Sequence, residues 1–433
     1  MKNPLPSDSS YFNISKLNTI TKQLIRREGF WRSYGIAALF ILIFLSTVYY
    51  RFTHTPFPHL WDYHIAYYPA GRIILENPNN LYNYPTIEGF VNLPIIAYLF
   101  TPFSTLSEAV AVRLFTLLGV FSVFVAGYFL LKLTNVSGWR RTGIIVLLAT
   151  NAPLYNSLQM GNTTHFVLLL LLGVFFCLRA KRSLWGGVLL ASAALIKIPL
   201  LFLIVYLAMR GRWRMVAAFG LTLLTVVSCS LLLFGLDLNL TWFNHCILAF
   251  SNKAIGTYYA HSVDSFLIRL LTNSPLNSWI PIEVGWEFKV MRYAMLSLLI
   301  GGTVWVCWRS KPPKTSKEEN LEFSSFLCLS LLVSPISWTH YYLFLLLPFS
   351  LYVGEQLAIP KKCSWSSLML LSIVLIALPP VKSVWLNHPV FTVFARGFLV
   401  PHYFWGGVLL LGILLMARWQ ASERYKFSCS HEL

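Results

Sequence analysis

The chain has 433 residues, of which 56% are hydrophobic and only 12% charged, against about 25% charged in an ordinary soluble domain. No water-soluble core needs that much apolar sequence, so a soluble enzyme or binding module is excluded. The formal net charge of +18 is not a nucleic-acid signal either, because the basic excess falls in short segments between apolar blocks, the positive-inside pattern of a polytopic membrane protein.

Basic clusters lie at 16–32, 132–141, 179–182, 210–214, 309–317, 361–362 and 418–426, and all seven are assigned to the cytoplasm. A helix needs roughly 20 apolar residues to cross about 30 Å of hydrocarbon. Residues 1–33 form a basic tail before an apolar run at 34–52. That run is too long for a signal-peptide core and is followed by no A-x-A-like site, so it reads as an uncleaved signal anchor. The next basic cluster requires a return over 107–131, which leaves 53–106 as a first outer loop. Inside that loop the apolar stretch 93–103 is short and carries Pro94 and Pro102, which predicts interfacial helical elements.

Helices are predicted at 142–157 and 164–179. The run 184–209 has basic residues at both ends, which a single crossing would place on opposite sides. A tight hairpin turning at Lys197-Ile198-Pro199 satisfies both ends, and one long tilted helix is the alternative. Further helices are predicted at 214–234, 289–308, 321–336, 340–356, 365–380 and 403–419. The expectation is an all-α polytopic bundle of about twelve helices in one membrane-embedded domain, 1–433, with both termini cytoplasmic, including the tail 420–433. A second large outer loop spans 235–288 and a smaller one 381–402, and no 20–50-residue repeat is visible.

Of seven cysteines, Cys177, Cys229, Cys307 and Cys328 sit inside apolar blocks, where they behave as small hydrophobes rather than a disulfide framework. There is no HExxH, P-loop, GxSxG or paired-carboxylate motif. Nothing in the sequence calls for a metal or another cofactor, and His54, His59 and His64 read as interfacial.

The topology gathers Asp62, His64, Asn162, His165, Lys197, His261, Asp264, Arg269 and His340 at or near the outer side. Charged groups near the apolar region are costly and often functional. Asp62 opens a segment in which Tyr63, Tyr67 and Ala70 share a helical face, with Pro69 expected to kink it. Its carboxylate could accept a proton from a sugar hydroxyl; equally, it could cap a helix beside an interfacial aromatic belt. Lys197 could hold a lipid phosphate as a point charge or simply snorkel. Arg269 could bind the same phosphate through its planar fork or face headgroups. His340 follows a helix broken at Pro335, and with Trp338 and two tyrosines it offers a proton-bonding group and sugar-stacking faces, or a structural interface.

Four segments carry a family resemblance: Asp62-Tyr63 through Ala70-Gly71-Arg72 with Leu81-Tyr82, the turn from Gly161 to Thr164, Lys197-Ile198-Pro199, and Ser334-Pro335 with Trp338 and His340. In these the chain resembles glycosyltransferase family 87, polytopic enzymes of the GT-C class that use polyprenyl-phosphate sugars and include bacterial mannosyltransferases. The Ser-Pro-x-Ser-Trp-x-His-Tyr pattern is the most specific of the four. The resemblance implies a GT-C fold, a general-base role for Asp62, inversion in a single displacement, and a bacterial plasma-membrane setting. The chain departs from the family at Ala260-His261-Ser262 before Arg269 and at Gly161-Asn162-Thr163-Thr164, positions where substrate would bind.

The leading expectation is a hexosyltransferase, with mannose as the sugar. Its partners are a polyprenyl-phosphate donor, a glycolipid or glycan acceptor and the bilayer, and no nucleic acid. Asp62 is the candidate catalytic residue, and Lys197, Arg269, His340, Trp338, His261 and Asn162 are the candidate binding residues. A lipid-linked saccharide transporter or flippase is the rival. It would need a polar path or paired broken helices at mid-membrane, and neither is evident.

Overall fold

The computed structural model describes residues 60–83, 89–381 and 393–430, with scattered positions between 35 and 46. The tail 1–33, most of the first expected helix, His54, His59 and much of the loop 381–402 lie outside the described residues. What is described is helical almost throughout. In the second large loop a two-stranded antiparallel ribbon, β1 (Lys253–Ala254) with β2 (Ile282–Glu283), is the exception.

In chain order the helices are α1 (Tyr68–Glu76), α2 (Glu108–Thr134), α3 (Trp139–Ala149), α4 (Ala152–Met160), α5 (Thr164–Arg179), α6 (Ser183–Ile196), α7 (Leu203–Met209) and α8 (Trp213–Trp242). They continue as α9 (Val263–Leu271), α10 (Trp286–Arg309), α11 (Ser316–Val333), α12 (Leu346–Val353), α13 (Cys363–Ala377) and α14 (His402–Ser430). Among the described residues only the helices over Glu108–Thr134, Trp213–Ser251, Trp286–Arg309 and His402–Glu423 are long and apolar enough to cross a membrane alone. Their outward faces carry large apolar side chains such as Leu117, Phe121, Leu224, Leu232 and Leu298, all exposed, as lipid contact requires.

The other expected spans are broken or short, each for a local reason. The run 142–157 divides at Asn151, whose Oδ1 accepts from Leu154 N–H at 3.0 Å and starts α4 with Pro153 in its first turn. The run 321–336 stops at Val333, two residues before Pro335. The segment after it is a 3₁₀ turn, Thr339–Leu345, leading into α12. The spanning helix α8 outlasts the expected 214–234 but kinks where that span ends, at Gly235, whose φ of 74° lies outside the helical region.

The hairpin reading of 184–209 holds. α6 ends at Lys197, whose backbone leaves the helical region (φ −131°, ψ 90°), and a 3₁₀ turn, Ile198–Phe202, leads into α7. The start of α6 lies against the start of α8: a Cβ added to Gly187 would come within 2.4 Å of the Met215 carbonyl oxygen. Because α8 begins just after α7 ends, both arms return to one end of the molecule, and Lys197 marks the far tip.

At that same end the basic clusters meet. Glu322, fully buried in α11, accepts from Arg210 Nε at 2.6 Å, from Arg210 Nη2 at 2.5 Å and from Arg418 Nε at 2.7 Å. Arg212 pairs with Glu319, Arg140 and Lys361 with Glu355, and Arg179 donates to the Leu133 carbonyl. Every expected basic cluster except the undescribed 16–32 is thereby tied into one end through Glu319, Glu322 and Glu355 or their neighbours. Removing the charge from Glu322 would leave two guanidiniums in a dry site, and breaking such a pair costs about 3–5 kcal/mol. A Glu322→Gln variant is therefore expected to unfold at a clearly lower temperature in detergent micelles, followed by loss of the monodisperse peak on size exclusion.

Candidate active site

At the opposite end of α5 and α6 lies a cavity of about 520 Å³, within the range of ligand pockets. Asp62, Asn162, Lys197, Trp338 and His340 line it, together with Tyr67, Tyr341 and an apolar wall that includes Trp61, Ile65, Val91, Ile198 and Ile247. Residues spaced across nearly 280 positions of sequence thus share one chamber.

The first outer loop folds against the bundle through its aromatic residues. Tyr63 and Tyr67, both buried, pack on Phe115 (centroids 4.5 Å apart) and Phe100 (4.6 Å, stacked). They are therefore core residues of the protein and not an interfacial belt. Asp62 has helical dihedrals (φ −61°, ψ −33°) and makes no side-chain cap hydrogen bond, which removes the capping alternative. The expected kink at Pro69 takes another form: a π-turn, Tyr63–Tyr67, precedes α1, and Pro69 sits in the first turn of α1, where no N–H is needed.

What Asp62 does instead is accept from Asn162 Nδ2, at 2.5 Å on Oδ2. The Asn162 amide is held from behind, since its Oδ1 accepts from Lys197 Nζ at 2.7 Å, from Thr164 Oγ1 at 2.8 Å and from Thr164 N–H at 3.2 Å. An ammonium can only donate, so the amide oxygen must face Lys197 and the NH₂ must face Asp62. A carboxylate and an ammonium are thus tethered to one planar group. The Lys197 ammonium also lies 4.9 Å from the Tyr341 ring centroid, a cation–π contact.

Gly161 makes the approach of the two segments feasible. Its φ is 64°, and a Cβ there would come within 2.8 Å of the Cβ atoms of both Leu60 and Tyr63. Leu60 N–H donates to the Gln159 carbonyl at 2.8 Å, fastening the loop to the end of α4.

Asp62 keeps part of its surface open to the cavity. Enclosure by protein raises its pKa, and the Asn162 hydrogen bond and Lys197 charge oppose that rise without cancelling it. His340, buried, leaves Nε2 without a partner among the described residues. His165 lies behind this group, joined to Ser157 Oγ through Nδ1 at 2.9 Å. His64 pairs with Glu108 at 2.5 Å and does not line the cavity.

Arg269 and His261 are not among the residues that line the cavity. Arg269 is buried in α9 and donates to the carbonyls of Thr257 (3.0 Å) and Ala260 (2.6 Å). Burial lowers its pKa to about 9. His261, also buried, meets Thr339 Oγ1 through Nε2 at 3.1 Å, and burial next to Arg269 pushes its pKa well below the usual imidazole range. Asp264 is occupied by Arg292, at 2.8 Å through Nε and 2.7 Å through Nη2. These residues build the second loop, where Arg269 Nη1 meets two backbone carbonyls while its Nε and Nη2 have no partner among the described residues. Thr164, Tyr341, Tyr259 and Trp279 went unremarked individually, although the density of aromatic residues around Trp338 pointed toward Tyr341.

Residues 90–335 match the family model of glycosyltransferase family 87, more than half of the chain. The protein belongs to glycosyltransferase family 87. It is a helical membrane glycosyltransferase, which decides against the transporter reading. No curated protein and no solved structure matches the chain. The matched region contains Asn162 and Lys197, whereas Asp62, Trp338 and His340 fall outside it; the cavity joins the two sets.

Two consequences are measurable. With Asp62 as the proposed base, activity is lost as pH falls through its raised pKa, and Asn162→Ala removes a hydrogen bond that lowers that pKa. The acid limb of kcat/KM is therefore expected to move to higher pH in Asn162→Ala, with a loss of about 10²-fold at the optimum from misplacement. Gly161→Ala is expected to fold with reduced stability and to lose activity disproportionately, because its Cβ displaces the Leu60 to Tyr63 turn that carries Asp62; thermal unfolding and kcat measured side by side check this.

Proposed function

We propose that the protein transfers a hexose, mannose by family resemblance, from a polyprenyl-phosphate donor to a hydroxyl of a lipid or glycan acceptor, with inversion. The observation that carries this reading is the Asp62–Asn162–Lys197 bridge inside a cavity with an apolar wall. Asp62 takes the proton of the acceptor hydroxyl as its oxygen bonds to the anomeric carbon. The bond from that carbon to the phosphate oxygen breaks, and the electron pair leaves with the phosphate. Lys197 stabilises the departing charge, and His340, which lines the cavity, is placed beside the phosphate and sugar. The fixed orientation of Asn162 keeps base and cation in place without reorganisation during reaction, the condition under which electrostatic stabilisation is most effective.

The basic end lies in the cytoplasm of a bacterial plasma membrane in this reading, with both termini there and the cavity on the outer side. The positive-inside rule supports it, as does the length of α5. Its 16 residues, Thr164–Arg179, rise about 24 Å, less than the roughly 30 Å of hydrocarbon. The cavity therefore sits slightly below the outer surface, level with a lipid-linked phosphate.

Proteoliposomes supplied with labelled polyprenyl-phosphate-mannose test the assignment. Asp62→Asn is expected to reduce kcat by about 10²–10⁴-fold while donor still binds, and Lys197→Met to weaken donor binding. Transfer that continues unchanged in Asp62→Asn removes Asp62 as the base.

A further inference from the structure

One wall of the cavity takes no part in the transfer chemistry. Tyr259, Trp279 and Trp338 line it as a row of rings, with Tyr259 and Trp279 stacked at 5.4 Å between centroids and Trp279 and Trp338 at 5.3 Å. All three are half-exposed, unlike the tyrosines that pack the first loop. The row starts one turn from the reacting groups, since Tyr341 N–H donates to the Trp338 carbonyl at 2.9 Å and the Tyr341 ring lies under Lys197.

The backbone behind this row is fixed from several directions. Ala260 and Trp338 form an isolated antiparallel bridge, His261 N–H donates to the Ser337 carbonyl at 2.7 Å, and Thr339 N–H donates to the Tyr259 carbonyl at 2.8 Å. Arg269 donates through Nη1 to the carbonyls of Thr257 and Ala260, on either side of Tyr259. A buried arginine committed to two loop carbonyls makes a preorganised platform, and the part of it that reaches the cavity is aromatic.

The chemistry of the row distinguishes its occupant. Neither indole N–H of Trp279 and Trp338 has a hydrogen-bond partner among the described residues. A lipid chain has no use for those donors and already has the apolar wall of Ile65, Val91, Ile198 and Ile247. A pyranose has both an apolar C–H face for a ring to cover and hydroxyls to accept from an indole.

We propose that Tyr259, Trp279 and Trp338 form a subsite for the saccharide portion of the acceptor, so that the hydroxyl delivered to Asp62 belongs to a glycan already in place and not to a bare lipid. This rests on the reading of Asp62 as the base and adds a binding role for Tyr259 and Trp279.

The test separates binding from transfer. Methyl glycosides of one, two and three mannose units are titrated into the full-length protein in nanodiscs. Affinity is expected to rise with each added unit for the wild type and equally for Asp62→Asn. Trp279→Leu is expected to bind the trisaccharide about tenfold more weakly, and Trp279→Phe, which keeps a stacking face, to lie between the two. Should Trp279→Leu not fold, Tyr259→Leu carries the same expectation. In the transfer assay the Trp279→Leu loss falls on the KM of the acceptor and not on that of the donor. Trisaccharide affinity indifferent to Trp279→Leu, no glycoside binding by the wild type, or a loss confined to the donor KM overturns the subsite. Unchanged transfer in Asp62→Asn overturns the base assignment alone.

Discussion

The side-chain amide of Asn162 can point only one way, and the architecture at this end of the molecule follows from that constraint. Its oxygen is committed to a lysine that can only donate, so its nitrogen must serve a carboxylate. Three distant pieces of chain are joined through it: the first outer loop, the turn between α4 and α5, and the tip of the α6–α7 hairpin. A buried cation and a nearby carboxylate tolerate enclosure only when paired or hydrogen-bonded, so the packing that encloses them is acceptable only while the amide holds both. Gly161, with its positive φ and no room for a Cβ, is what lets the turn carry the amide there.

The opposite end obeys the same rule with the signs rearranged. Positive-inside sequence concentrates arginine and lysine where the helices end, and packing those ends together would be repulsive without counter-charges. Glu319, Glu322 and Glu355 supply them, with Glu322 receiving two guanidiniums at once. Between these charged ends α5 and α6 are short. Their length sets how deep the cavity lies, because extending either helix by a turn would lift Asn162 or Lys197 about 5.4 Å and separate them from Asp62.

Much of this was legible in the sequence, and what was not has physical reasons. The helical class, the hairpin at Lys197 and the placing of Asp62, Asn162, Lys197 and His340 on one side followed from charge placement and helix length, which are properties of the chain one segment at a time; others placed there, among them His64, His261, Asp264 and Arg269, do not line the cavity. One break did not follow: Asn151 starts a new helix inside the run 142–157, which hydropathy treats as one. Arg269 and His261 lie away from the cavity lining for a related reason. A charge in a loop reads as accessible, yet Arg269 in α9 and His261 just before it are both buried, where backbone carbonyls and Thr339 meet them. Trp279 and Tyr259 carry no signal at all in one dimension, since aromatic residues are dense throughout a chain that is 16% Phe, Trp and Tyr.

The burial of Arg269 also bears on how the proposed donor and acceptor would share one chamber. A donor whose reactive part is an anionic phosphate needs cations at the cavity surface, and an arginine there would compete with Lys197 for it. Placed behind the second loop, the same guanidinium holds the Thr257 and Ala260 carbonyls and leaves Tyr259, Trp279 and Trp338 facing the cavity. In the proposed reaction the donor phosphate meets Lys197 beside Asp62, and a neutral saccharide has an aromatic wall to stack on. The proposed reacting groups and the aromatic row adjoin at the Trp338 to Tyr341 turn. That turn belongs to both: Tyr341 lies under Lys197, and Trp338 continues the row through Trp279 to Tyr259.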